Sequence, residues 1–183
     1  MLSDAQAAMV SETLRICLLD AAEQSHLDSE LAASLAQAAD LLAGSAPAQA
    51  QARPPHPMLP AVGSVYHEDR RVGPDDTAAA MGHPDPAVQV LGSPRLALWF
   101  EMACCGLLPE PGAATGLTHV GVGIVVQHLD RADLGETVRL EARTRSVSGR
   151  RAVFSCRASV GERLVATGVH HRVLLPDRPT EPQ

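Results

Sequence analysis

The chain has 183 residues and no lysine; all 15 of its basic residues are arginine. That absence removes Schiff-base chemistry, and with it the phosphate-binding loop that places a lysine after its glycines. Cysteine is scarce too. Cys17, Cys104, Cys105 and Cys156 show no C-x-x-C pairing, and the N-terminus lacks the basic, apolar and small-residue pattern of a secretory leader, so a reduced, cytoplasmic protein is expected. No apolar run approaches the roughly 20 residues that cross a bilayer, so no membrane association is expected. The formal charge is -6 and the arginines are scattered. Without a basic stripe to follow phosphates, nucleic acid is not expected as a partner.

The N-terminal part is helical in pattern. Residues 3–24 open with Ser3 and Gln6 in capping-box spacing and carry Met9, Val10, Leu14, Cys17 and Leu18 near one face. Residues 29–43 repeat the pattern with Leu31, Leu35, Ala38, Leu41 and Leu42, between Asp28 as cap and Gly44 as stop. The expected organisation is a helical hairpin over 1–44, an Ala/Gln/Pro-rich linker over 45–58, a main domain over 59–175 and a tail over 176–183. The hairpin has too little aromatic bulk for a core of its own and reads as scaffolding.

Beyond the linker the period changes. Residues 137–147 alternate Val138, Leu140 and Ala142 with Arg139, Glu141 and Arg143, the rhythm of a half-buried strand. Turns at Ser148-Gly149 and Gly161-Glu162 lead into strands over 151–160 and 163–175, and residues 118–129 and 63–72 read as two more. One long helix, 94–107, separates the first strand from the other four. A nearly all-apolar helix before an antiparallel meander predicts an α+β fold in which a curved sheet wraps the helix.

In this order, three residues draw attention: a hydroxyl, Ser93, in "VLGSPRLALWFE"; a carboxylate eight residues later, Glu101; and a histidine, His128, in "GVGIVVQHLDRADLG". In this arrangement the chain resembles the hotdog-fold acyl-CoA thioesterases, and more narrowly their fluoroacetyl-CoA thioesterase-like group, over about residues 62–175. The group usually has threonine where this chain has Ser93; the oxygen is kept. The resemblance implies Ser93, Glu101 and His128 as catalytic residues. "GVHHR" matches its G-x-H-x-R pattern, which implies that His170 and Arg172 face the site, and Gly121 matches a glycine beside the bound thioester. It further implies an acyl-CoA substrate, no cofactor and at least a homodimer. Members specialised for the fluorinated substrate close the pocket with phenylalanine, and "MGHPDPAVQVLG" has none, so that specificity is not carried over.

The residue chemistry can be argued beside the resemblance. A helix from Pro94 puts Ala97, Leu98, Glu101, Cys104, Cys105 and Leu108 on one stripe, which predicts a buried carboxylate in need of a partner. His128 is the expected partner, with one nitrogen fixed and the other free to activate water or Ser93. Competing readings are a purely capping Ser93, a structural pair of Glu101 with Arg139 or Arg143, and Cys104 and Cys105 as small core fillers. His119 and His128 are nine residues apart and His170 and His171 adjacent, so each pair falls on opposite faces of an ideal strand and no metal site is expected. Thioester hydrolysis is the leading function. A non-catalytic acyl-CoA-binding module and, below it, an enoyl-CoA hydratase-like enzyme using His128 and Asp130 are the alternatives.

Overall fold

A computed structural model describes Thr13 and residues 54–110 and 116–176. The expected N-terminal hairpin, apart from Thr13, lies outside the described residues, as do most of the linker and nearly all of the tail. The main body belongs to one compact unit, Pro54–Gln183. Its strands are β1 (Val65–Arg71), β2 (Leu117–His128), β3 (Thr137–Ser148), β4 (Arg151–Val160) and β5 (Arg163–Pro176), and its helix is α1 (Ser93–Cys105). All pairings are antiparallel, in the order β1-β3-β4-β5-β2.

α1 touches all five strands. Its buried residues are Leu96, Trp99, Phe100, Ala103 and Cys104. They meet Val138, Leu140 and Ala142 of β3, Ala152, Phe154, Cys156 and Ala158 of β4, and Ala166 of β5. Small side chains dominate that side of the sheet, so the helix can approach closely. The tightest point is Gly168. A Cβ there would lie 2.8 Å from the Val125 carbonyl oxygen and 3.0 Å from the Phe100 ring. At the helix end Gly106 serves the same purpose for Tyr66, whose ring would be 2.6 Å from a Cβ.

The helix is rotated from the expected stripe. Cys104 and Leu108 are buried as expected, but Leu98 is 44% exposed and the Glu101 side chain 41% exposed. Trp99 and Phe100 explain the difference, because seating the two bulkiest side chains of the helix under the sheet turns Leu98 and Glu101 to the flank. The sheet therefore does not enclose the helix on every side; Met102, 45% exposed, lies open with Leu98.

Phe100→Ala is expected to lower unfolding stability by about 3–5 kcal/mol, the usual cost of emptying a fully buried phenylalanine site. Denaturant titration measures it, and a loss below about 1 kcal/mol would contradict this account of how the helix is seated.

Candidate active site

The start of α1 is tied into the sheet by its backbone. Leu91 N–H donates to the Ala132 carbonyl at 2.8 Å and Gly92 N–H to the Asp76 carbonyl at 2.9 Å, while Leu129 N–H donates to the Val165 carbonyl at 2.8 Å. These bonds bring the end of β2 against the helix N-terminus. Gly92 is the cap residue and Ser93 the first helical residue, with no side-chain capping bond. The capping reading of Ser93 is thereby corrected: its hydroxyl is committed elsewhere, 2.9 Å from His128 Nδ1. Burial lowers the His128 pKa, which favours a neutral ring able to take a proton. Its other nitrogen, Nε2, is buried without a hydrogen-bond partner among the described residues.

A second cluster surrounds Arg172, which is 5% exposed. Its Nη1 donates to Glu101 Oε1 at 3.1 Å and lies 3.0 Å from His170 Nε2; its Nη2 lies 2.9 Å from His119 Nδ1. His170 Nδ1 is 3.0 Å from the Gly123 carbonyl. Gly121 makes the cluster possible, since a Cβ there would stand 2.9 Å from His170 Cε1 and 3.1 Å from Glu101 Oε1. Burial, and next the adjacent guanidinium, push the His170 pKa down to about 4. The same two causes lower that of His119. Burial raises the Cys105 thiol, so it stays protonated, and Cys104 Sγ sits 3.4 Å from Cys156 Sγ inside the core.

The expected pairing of Glu101 with His128 does not form within one chain. Eight helical residues separate Ser93 from Glu101 by about 12 Å along the axis, His128 is held at the Ser93 end, and Glu101 is engaged by Arg172. Arg139 and Arg143 are not its partners either; they pair with Asp69 and Glu141. Asp130, the acid of the hydratase reading, is bound by Arg163 at 3.0 Å and by the Arg131 N–H at 2.8 Å. Gly121, His170 and Arg172 do come together.

His119 is the member that sequence reasoning missed. An ideal strand puts His119 and His128 on opposite faces, but β2 shifts register between Gly121 and Gly123. The extra residue reverses the alternation, so His119 and His128, opposite Leu174 and Ala166, both lie on the helix side of the sheet. The paired glycines in "VGVG" were the available signal. Among the described residues no three His, Cys, Asp or Glu side chains gather as metal ligands.

Against this geometry, a family model described as fluoroacetyl-CoA-specific thioesterase matches residues 72–178. Among solved structures, a point mutant of the fluoroacetyl-CoA-specific thioesterase FlK in complex with fluoroacetate and CoA is 27% identical, with a TM-score of 0.56, covering 63% of this chain and 95% of that one. A hot-dog-like protein from Thermanaerovibrio acidaminovorans is 25% identical at TM-score 0.57, over 65% of this chain and 85% of that one. A Thermus thermophilus thioesterase superfamily member, 24% identical at TM-score 0.58 over 66% and 86%, shares the fold. No curated protein matches the sequence.

The lowered histidines make stability depend on pH. In the unfolded chain each would bind a proton near the ordinary value of 6.5, whereas His170 folded does so near 4, and His128 and His119 are lowered as well. Between those values the unfolded state holds protons that the folded state lacks, so stability is fully present above about 6.5 and is lost as pH falls toward 4. For His170 alone the loss is of the order of 3 kcal/mol. Urea unfolding from pH 7.5 to 4.5 should show the decline. His170→Gln, which keeps an acceptor toward Arg172 without titrating, should flatten it; an unchanged slope would count against the buried neutral ring.

Proposed function

The chain belongs to the fluoroacetyl-CoA-specific thioesterase family, and on that premise we propose that Ser93, His128 and Glu101 carry out its hydrolysis of an acyl-CoA thioester. The observation that carries the reading is the 2.9 Å contact between Ser93 Oγ and His128 Nδ1 at the start of α1. A neutral imidazole takes the hydroxyl proton as Oγ bonds to the thioester carbon, and it gives that proton to the departing CoA thiolate. The helix N-terminus lies where negative charge gathers on the carbonyl oxygen. Water then attacks the serine ester, His128 accepts its proton, and Oγ leaves with the proton returned. A thiolate needs little acid assistance, so a single base serves both halves.

Glu101 of the same chain is too far along the helix to reach His128, which supports a composite site in a homodimer. β2 is a sheet edge without Lys, Arg, Asp or Glu, whereas β1 at the other edge is lined with charge. Val122 and Ile124 of β2 and Leu98 and Met102 of α1 are exposed. Uncharged edge and apolar flank together suit a second copy related by a two-fold axis. Glu101 of the partner subunit would then accept a hydrogen bond from the orphaned Nε2–H of His128 and hold Nδ1 toward Ser93. Among the described residues no helix is long and apolar enough to cross a membrane, and Cys104 and Cys156 meet at 3.4 Å between their Sγ atoms, a contact and not a disulfide, which suits a reducing cytoplasm. The acyl group remains open to a broad range, since 81–92 contains no aromatic residue to close over it.

Thiol release from a panel of acyl- and aryl-CoA thioesters tests the reading. His128→Ala and Glu101→Gln should each lower turnover at least about 100-fold while circular dichroism stays that of the wild type, and near-normal turnover in both would overturn the assignment. Ser93→Ala should do the same, with an acyl adduct on Ser93 trapped by acid quench in the wild type. Substantial activity in Ser93→Ala would make water the direct nucleophile. Retention of acyl-CoA without turnover would leave a binding module. Sedimentation should give a dimer, which Val122→Asp weakens together with activity.

A further inference from the structure

We propose that His119 is a positioning residue: its Nδ1 lone pair holds the Arg172 guanidinium, and through it the Glu101 carboxylate, in working geometry.

A guanidinium has five N–H donors and no acceptor, so any imidazole nitrogen facing it must present a lone pair. Arg172 Nη1 has two acceptors, Glu101 Oε1 and His170 Nε2, while Nη2 has His119 Nδ1 at 2.9 Å and, at 3.5 Å, the His119 carbonyl. The two rings are therefore locked in opposite tautomers. His170 Nδ1 faces the Gly123 carbonyl, which can only accept, so His170 carries its proton on Nδ1. His119 uses Nδ1 as acceptor, and its proton sits on Nε2.

The arrangement makes His119 the chief brace for one arm of the fork. Arg172 is buried, so an unpartnered Nη2 would be costly, and without that arm the guanidinium can pivot about Nη1. Glu101 cannot hold itself, because its side chain is 41% exposed. The carboxylate position then depends on Arg172, and that of Arg172 on His119. The catalytic consequence rests on the function proposed above; the tautomers and the bracing do not.

Two substitutions separate bracing from bulk. His119→Leu removes the acceptor, whereas His119→Asn can offer an amide oxygen where Nδ1 stood. In His119→Leu, kcat should fall about 10- to 100-fold, the scale of a misplaced catalytic group, with KM changed less than about threefold, and His119→Asn should recover most of kcat. Independently of turnover, long-range nitrogen-proton spectra at pH 7.5 should show the Nε2–H form for His119 and the Nδ1–H form for His170. Exchange of the Arg172 guanidinium protons should quicken in His119→Leu and return to wild-type rates in His119→Asn. A protonated or Nδ1–H His119, unchanged exchange and kcat in His119→Leu, or equal losses in both variants would overturn the proposal. A wild-type protein without turnover would overturn the function alone, and the spectra and exchange rates would still decide the role of His119.

Discussion

The contact of Phe100 with Gly168 sets where everything else in the domain can stand. An aromatic ring under a strand position without a side chain fixes both the depth of the helix and its rotation. With that rotation set, Leu96, Trp99, Ala103 and Cys104 turn inward and Glu101 is carried to the flank, against Arg172. The same helix delivers Ser93 to His128. Two polar clusters are thus placed by one apolar contact, which is possible because a helix is a stiff spacer and a sheet rich in alanine leaves no other depth for it.

The clusters divide the chemistry by electrostatics. At the helix N-terminus, burial keeps His128 neutral next to a hydroxyl, as a base requires. Near the helix C-terminus the buried cation is Arg172; burial first, and then its charge, favour the neutral form of His170 and His119 around it. The single carboxylate there is oriented by the forked donors of that guanidinium, which holds Glu101 Oε1 at 3.1 Å. Among its neighbours Cys105, although beside both charges, has its thiol raised by burial, which leaves it chemically quiet.

Much of this was legible in the sequence. The five strands and the helix between β1 and β2 follow from alternation and turn residues, since local chemistry dictates them, while Gly121, His170 and Arg172 were marked by the resemblance of short motifs. Helix rotation was less legible, because an almost uniformly apolar segment carries little directional information and the choice was made by Trp99 and Phe100 against the sheet. The partner of Glu101 was misjudged for a related reason. Spacing along a chain shows which residues share a helix face; it does not show that eight residues along an axis is too far for one imidazole to bridge both ends. His119 was lost to the assumption of unbroken alternation.

The register shift in β2 has a consequence for how the chain can change in length. Loops such as 78–92 join elements through turns and can absorb an inserted or lost residue locally. The stretch between Gly121 and Gly123 can give up a residue as well, because it holds one more than its partner strand. Removing that residue would leave His119 and His128 eight apart, still opposite Leu174 and Ala166 and on one face, whereas one further residue inserted between Gly123 and His128 would turn His128 to the outer face while His119 stayed inside. A single codon gained there would separate the two clusters without altering any residue in either, so the bulge leaves this strand free to shorten by one residue and not to lengthen.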